Sequence, residues 1–467
     1  MSELTIRATA IPGVLLLELP VHGDSRGWFK ENWQREKMLA LGLPDFGPVQ
    51  NNISFNDAVG TTRGIHAEPW DKYVSVAAGR IFGAWVDLRA GETFGTVVTA
   101  ELGPGQAIFL PRGVGNSYQT LAPDTVYTYL VNEHWSPEAS YTFLNLADES
   151  AAIRWPIPLA EAEISQKDLA HPRLAAVTPF APRRTLVLGA DGQLGRALRA
   201  VLPDAEFAGR ADFDLSDPVA WASRPWSQYD TIINAAAYTN VDGAETAEGR
   251  RDAWRINAAA TSQLARTAVE HRLRVVHVSS DYVFDGSREI HDESEEPSPL
   301  GVYAQTKAAA DAIVATIPRH YIVRTSWIVG EGRNFVRTMA ELAVRGVDPR
   351  VVDDQFGRLS FATDIAAGIT HLLDTGAEFG TYNLTSTGAV HSWADIARQV
   401  FHLTGHDPAR VTGISSLDYF AGRDSIAPRP RHSTLNLDRI TATGFAPRDG
   451  TEALRDYLAG STAARPA

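Results

Sequence analysis

Residues 185–195 read Thr185-Leu-Val-Leu-Gly189-Ala-Asp191-Gly192-Gln193-Leu194-Gly195, a short apolar run that breaks into a glycine-rich turn, and QLGRALRAVL (193–202) then takes up helical periodicity. At such a junction glycines allow a tight turn and let backbone N–H groups approach a pyrophosphate at the helix N-terminus. Downstream, DTIINAAA (230–237) reads as a second buried strand, RRDAWRINAAATSQLARTAVEH (250–271) as an amphipathic helix and VVHVSS (275–280) as a further strand. Strands alternating with helices predict an α/β domain over 185–460, a doubly wound parallel sheet with a smaller substrate-binding region.

Upstream the text changes. KYVSVAAGRIFGAWVDLR (72–89) alternates apolar and polar residues around a Gly79-Arg80 turn, GPGQ (103–106) punctuates the next pair, and TVYTYLVNEHW (125–135) is another β run. Many short strands and few helical periods predict an all-β sandwich or jelly roll over 1–175. The proline-bearing stretch AHPRLAAVTPFAPR (170–183) marks a linker, set at 176–184, and 461–467 reads as a tail.

Composition narrows the function classes. The 467 residues carry a net charge of −13 spread over both halves, which excludes a nucleic-acid or anionic-membrane binder. Without cysteine there are no disulfides, thiolate metal sites or thiol nucleophiles. The thirteen histidines show no ligand spacing, so no metal is expected. The N-terminus does not read as a signal peptide and no run is long enough to span a membrane, so a cytoplasmic location is the expectation.

Tyr303 and Lys307 stand four residues apart, hence on one helix face, where an ammonium would lower the phenol pKa and help it hand a proton to a carbonyl oxygen. Lys307 is the only lysine after residue 180, against 29 arginines. Ser280 ends an apolar strand, where side chains face the ligand crevice. In FAGRADFDLSD (207–217), Arg210 could meet a 2′-phosphate and Asp212 or Asp214 a ribose or adenine. In the β half, Arg63, His66 and Lys72 cluster, yet plain alternation sends Arg63 and His66 to opposite faces unless the strand bends near Gly64.

The glycine turn, strand-end serine and Tyr303/Lys307, in this order, resemble the extended short-chain dehydrogenase/reductases. With LGADGQLGRAL, INAAAYTNVDGAE, VSSDYVFDG, PLGVYAQTK, VRTSWIVGEGRNFV and VVDDQFGRLSFATDIA, the second half resembles dTDP-4-dehydrorhamnose reductase. That resemblance implies a Rossmann fold and catalysis by Ser280, Tyr303 and Lys307. It also implies NADPH, with NADH usable, held by Gly189, Asp191, Gly192, Gln193, Leu194, Gly195, Arg210, Asp214, Leu215, Ala235, Ala236, Ala237, Tyr238 and Lys307. Asp281, Tyr282, Arg324 and Trp327 would line the sugar pocket; the family's usual threonine is Ser280 here.

DSRGWFKE, VQNNIS, TRGIH, FLPRGVGNSY, YLVNEHWSP and the Asp148…Arg-Trp-Pro156 ending resemble dTDP-4-dehydrorhamnose 3,5-epimerase, a cupin-like jelly roll. The resemblance implies His66 as base oriented by Asp148, Lys72 at the enolate oxygen and Tyr129 as proton donor. Arg26, Phe29, Glu31, Gln50, Asn52, Arg63 and Asn116 would bind a nucleotide sugar. The family's His-Gly-Phe is replaced by Asn116-Ser117-Tyr118 and a tyrosine by Trp135. The chain then reads as a bifunctional nucleotide-sugar enzyme, with a homodimer through the β domain implied by resemblance. A UDP-linked or other 4-keto-deoxysugar, and a non-catalytic NADP-binding scaffold, are the alternatives.

Overall fold

Alternation with period two builds two facing sheets in the first part of the chain. The computed structural model describes residues 3–136 and 139–463. In chain order the first strands are β1 (Thr5–Ala8), β2 (Leu15–Glu18), β3 (Val21–Asp24), β4 (Gly27–Lys30), β5 (Gln50–Asn56), β6 (Thr61–Ala67) and β7 (Lys72–Ala78). They are followed by β8 (Ile81–Asp87), β9 (Val97–Leu102), β10 (Gln106–Leu110), β11 (Val114–Thr120), β12 (Thr125–Val131), β13 (Thr142–Phe143) and β14 (Glu163–Ile164). One sheet runs β1-β2-β10-β7-β12-β5 and the other β13-β6-β11-β8-β9, with β14 beside β6 and β3/β4 a separate hairpin.

Each strand sends alternate residues to opposite faces. Val74, Val76, Ile108 and Tyr127 of one sheet meet Ile81, Trp85, Val114 and Tyr118 of the other in a shared core. Their sequence neighbours Tyr73, Ala107 and Phe109 point outward and are covered by α1 (Arg35–Ala40) and the loop after it, through Met38, Leu43 and Phe46.

β6 carries the irregularity that the spacing of Arg63 and His66 demands. Against β11, His66 pairs with Asn116 and Arg63 with Tyr118, so three steps on one strand face two on the other. Gly64 sits at the bulge with φ +119°, and a Cβ there would lie 2.6 Å from Ser117 Cβ. The bulge puts Arg63 and His66 on the same inward face.

The chain divides into units Met1–Pro182 and Arg183–Ala467. The stretch expected as a linker, 176–184, is no free connector. Val177 is buried with Ile65, Val86 and Leu88, Phe180 bridges Arg89, and Arg184 already opens β15. Apolar side chains in this stretch find a ready surface on the outer face of the second sheet, which proline content alone did not reveal.

The second unit is built on a parallel sheet. Its strands are β15 (Arg184–Leu188), β16 (Glu206–Ala208), β17 (Tyr229–Asn234), β18 (Arg274–Ser280), β19 (His320–Thr325) and Gly380–Asn383, in the order β16-β15-β17-β18-β19 and then Gly380–Asn383. One face packs Leu186, Ile232 and Val275 against the helices Ala260–Glu270 and Val302–Val314. The other packs Val187, Ile233 and Val276 against α3 (Gln193–Val201) and the helix Ala362–Thr375. The long amphipathic helix of the sequence reading forms with a wider π turn at Trp254–Ala259. The last helix, Gly450–Ala463, runs past residue 460 into the expected tail; residues 464–467 lie outside the described residues.

Candidate active sites

In the first unit both sheets contribute inward-facing side chains to the candidate site. From one sheet come Lys72 on β7, Tyr129 on β12 and, in register with Tyr129 and Val131, Asn52 and Gln50 on β5. From the other come Arg63 and His66. His66 Nε2 lies 2.9 Å from Asp168 Oδ1. A carboxylate can only accept, so Nε2 carries the proton and Nδ1 keeps a free lone pair. Asp168 sits on α2 (Gln166–Leu169), whose N-terminus Ser165 caps, and its second oxygen accepts from Gly64 N at 3.4 Å. Burial would raise the Asp168 pKa, but the hydrogen bond from His66, and the charge that ring carries when protonated, outweigh it and hold the carboxyl below its ordinary range.

Lys72 is buried and ion-paired with Glu68, with its Nζ 4.9 Å from the Tyr129 ring centre. Burial first, and then the Glu68 carboxylate, push the Tyr129 phenol up to about 12, so it is protonated at neutral pH. The His66 ring meets Phe143 and His171 edge-on, at 5.7 and 5.3 Å.

In the second unit the C-terminal ends of β15, β16 and β17 enclose a cavity of about 300 Å³. Gly189, Asp191, Gly192, Arg210, Asp214, Leu215, Ala235, Ala236 and Ala237 line it, together with Gly209, Phe213, Thr239 and Ile256, which the sequence reading did not single out. Gly189 turns with φ +82°, and Gly195 lets α3 approach, since a Cβ there would lie 2.2 Å from Gly189 O.

Beside this cavity, Ser280 ends β18 and hydrogen-bonds the Tyr303 hydroxyl from the facing helix. Ser280 Oγ also donates to Asp281 Oδ1 at 3.0 Å and accepts from Tyr282 N. Lys307 Nζ donates to Val278 O at 2.7 Å and lies 3.3 Å from His277 Nε2, while His277 Nδ1 lies 3.2 Å from Asn234 Nδ2. Burial lowers Lys307 to about 8. Burial, reinforced by Lys307, holds His277 well below the usual histidine range, hence neutral. His277 is a site residue that the sequence reading missed, because an alternating strand hides which of its residues meets a buried lysine.

Residues 8–176 match the dTDP-4-dehydrorhamnose 3,5-epimerase family, and residues 183–462 match the RmlD substrate binding domain family. The chain belongs to both families. It is a fusion of an epimerase and a reductase. Its first part is 49% identical over 180 residues to an RmlC homolog from Streptococcus pyogenes, covering 37% of the fusion and 90% of that protein. Its second part is 36% identical over 292 residues to dTDP-4-dehydrorhamnose reductase from Mycobacterium tuberculosis, covering 59% and 92%. A solved dTDP-4-dehydrorhamnose reductase from Clostridium acetobutylicum is 33% identical with a TM-score of 0.55, over 60% of the fusion and 99% of that chain. A second solved reductase, from Bacillus anthracis and in complex with NADP, is 29% identical with the same TM-score, over 60% and 99%.

Several expected roles in the fusion need correction. Asp148 does not orient His66: its oxygens accept from the backbone of Ser150, Ala151 and Leu174, and Asp168 takes the histidine. Asn116 is engaged with Trp85 and Tyr127 inside the core rather than offered to a ligand. Arg26 pairs with Asp24 in the β3/β4 hairpin, Glu31 pairs with Lys37, and Phe29 is 66% exposed, which leaves all three accessible on the surface.

In the reductase half, Arg324 is buried in an ion pair with Asp311 at 3.0 Å, and Trp327 stacks on Trp393 at 3.8 Å. Leu194 joins the apolar core, Gly195 serves helix packing, and Gln193 is not among the cavity's lining residues. The Tyr238 backbone is held by Asn257. Tyr303 is not lowered by Lys307. Burial and then the Asp281 carboxylate raise its phenol, because the lysine points to Val278 and His277.

Proposed function

We propose that the chain performs two consecutive steps on one nucleotide sugar: 3,5-epimerisation of dTDP-4-dehydro-6-deoxy-D-glucose, then NADPH-dependent reduction of the C4 ketone to give dTDP-L-rhamnose. The observation that carries this reading is that each unit holds its own proton-transfer set, His66–Asp168 with Tyr129 and Lys72 in one, Ser280 with Tyr303 and Lys307 in the other. We read the facing sheets as a cupin-like jelly roll and the parallel sheet as a Rossmann fold.

The C4 ketone acidifies the protons at C3 and C5. His66 Nδ1 takes one of them while Asp168 steadies the imidazolium. Lys72 stabilises the enolate oxygen, and Tyr129 returns a proton to the opposite face, which inverts the centre. Gln50, Asn52 and Arg63 hold the sugar diphosphate within the pocket.

The glycine turn and the cavity at the ends of β15 to β17 fit a dinucleotide, and the exposed Arg210 guanidinium fits its 2′-phosphate. Bound there, NADPH supplies hydride to C4. Tyr303 donates a proton to the C4 oxygen and Ser280 holds that oxygen. Beyond Tyr303, a cavity of about 410 Å³ lined by Tyr282, Phe335, Trp393, Phe420, Arg350 and Arg429 takes the nucleotide. We put a homodimer contact on β5, which among the described residues pairs only with β12 and leaves Ile53 and Phe55 69% and 59% exposed.

The test is NADPH oxidation and product identification with dTDP-4-dehydro-6-deoxy-D-glucose for wild type, His66→Ala and Tyr303→Phe. Wild type yields dTDP-L-rhamnose and each variant loses it. Wild type that binds NADPH without oxidising it, or rhamnose formation that survives His66→Ala, overturns the reading.

A further inference from the structure

The donor atoms of His66, Asp168 and His171 all lie within 4.8 Å of one another. Asp168 Oδ1 is 2.9 Å from His66 Nε2 and 3.8 Å from His171 Nε2. A zinc ion bound at about 2.0–2.2 Å to two imidazoles and a carboxylate sets its ligand atoms roughly 3.3 Å apart, so the 2.9 Å separation opens, the 3.8 Å one closes, and the two imidazole nitrogens, within 4.8 Å of each other, draw together by up to about 1.5 Å. His171 is more than nine-tenths buried and faces this cluster. Among the described residues neither of its ring nitrogens has a hydrogen-bond partner at ordinary distance, although the ring approaches the Leu144 backbone. A buried imidazole with uncommitted nitrogens beside a carboxylate and a second imidazole is the donor set of an open three-ligand metal site. The side chain of His66 is 35% exposed, which leaves the fourth position on the pocket side.

We propose that His66, Asp168 and His171 bind a divalent transition-metal ion of the zinc class, and that the bound ion switches off proton abstraction by the epimerase half. The proposal rests on His66 acting as the base. In the metal-free site Asp168 accepts the Nε2 proton and Nδ1 offers its lone pair. A neutral imidazole carries one N–H, and metal at Nε2 leaves Nδ1 as the only place for it. The ring stays neutral, no proton is lost, and the lone pair that would take the C3 or C5 proton is gone. Asp168, turned to the metal, no longer steadies an imidazolium. The ion is therefore an inhibitor of one half and not a cofactor, and the Ser280, Tyr303 and Lys307 set is untouched by it.

The full chain, stripped with EDTA, is incubated with dTDP-4-dehydro-6-deoxy-D-glucose in D2O without NADPH, and deuterium entry at C3 and C5 is followed by mass spectrometry. No deuterium entry in the zinc-free wild type overturns the base assignment itself. With exchange present, one equivalent of zinc chloride is expected to suppress it at least tenfold, EDTA to restore it, and NADPH oxidation on pre-epimerised ketone to continue. Exchange unaffected by zinc, or wild type and His171→Asn inhibited alike, overturns the metal site. Cobalt(II) gives a reading that does not depend on a variant folding. The wild-type chain is expected to show the intense visible bands of a four-coordinate N/O site, and a spectrum identical to aqueous cobalt overturns the proposal.

Discussion

Asp148 and Asp168 are both buried carboxylates, and they differ in what their oxygens meet. Asp168 faces an imidazole, so Asp168→Asn is expected to slow epimerisation roughly 10²–10⁴-fold, because the charge that steadies the imidazolium is gone and, with the amide oxygen turned to Gly64 N, the amide N–H meets His66 and disfavours its working tautomer, read as deuterium entry at C3 and C5. Asp148 faces three backbone N–H groups at 2.7–2.9 Å, so Asp148→Asn is expected to leave turnover largely intact and cost about 1–3 kcal/mol of stability in urea unfolding. Burial would raise the Asp148 pKa, but those backbone bonds hold it below the ordinary carboxylate value. Its contribution is therefore present above that value and lost as pH falls through the folded pKa. Lys307 has the opposite sign. Burial lowers it from 10.5 to about 8, so between those values the unfolded chain binds more protons and stability rises with pH. In the cofactor-free chain the urea midpoint of wild type, measured against Lys307→Met, should climb from about pH 8 to about pH 10; a flat difference would show that Lys307 titrates normally.

Two glycines act at the level of elements. Gly64 holds the β6 bulge that turns Arg63 and His66 to one face, and a Cβ there meets Ser117 at 2.6 Å and the backbone of Asn116 at 2.7 Å. Gly64→Ala is expected to lower deuterium exchange more than about a hundredfold, since a regular strand would turn one of the two side chains out of the pocket. Retained exchange would show that the bulge does not position the base. Gly195 instead lets α3 seat against the Gly189 turn. Gly195→Ala should weaken NADPH binding about tenfold or more by fluorescence titration while leaving deuterium exchange in the other half unchanged. The π turn Trp254–Ala259 is a further element with a site role: it puts Ile256 on the cofactor cavity and Asn257 on the Tyr238 backbone. Its wider winding leaves no mark in a sequence pattern with helical periodicity.

For the whole molecule, each unit has its own apolar cores and its own proton-transfer residues. An equal mixture of His66→Ala and Tyr303→Phe chains is therefore expected to restore dTDP-L-rhamnose formation that neither gives alone, checked by chromatography of the products; no product would show that the intermediate does not leave the chain that made it. Much of this organisation is written locally. Period-two alternation sets which residues of β7 and β12 face inward, the 185–195 stretch places a dinucleotide turn between strand and helix, and Tyr303 with Lys307 share a helix face four residues apart. What the sequence leaves open is which distant groups meet. Asp168 is 102 positions from His66, and nothing in the sequence ranks it above Asp148, because the approach of α2 to β6 depends on Ser165 capping, the Gly64 bulge and the packing of the layer outside the second sheet. Burial is likewise a property of the fold, and it encloses the Arg324–Asp311 ion pair, leads the rise of Tyr303 and lowers Lys307. Side-chain direction within an element follows from backbone period and so from sequence, whereas partners and local dielectric arise only when elements far apart in the chain are packed together.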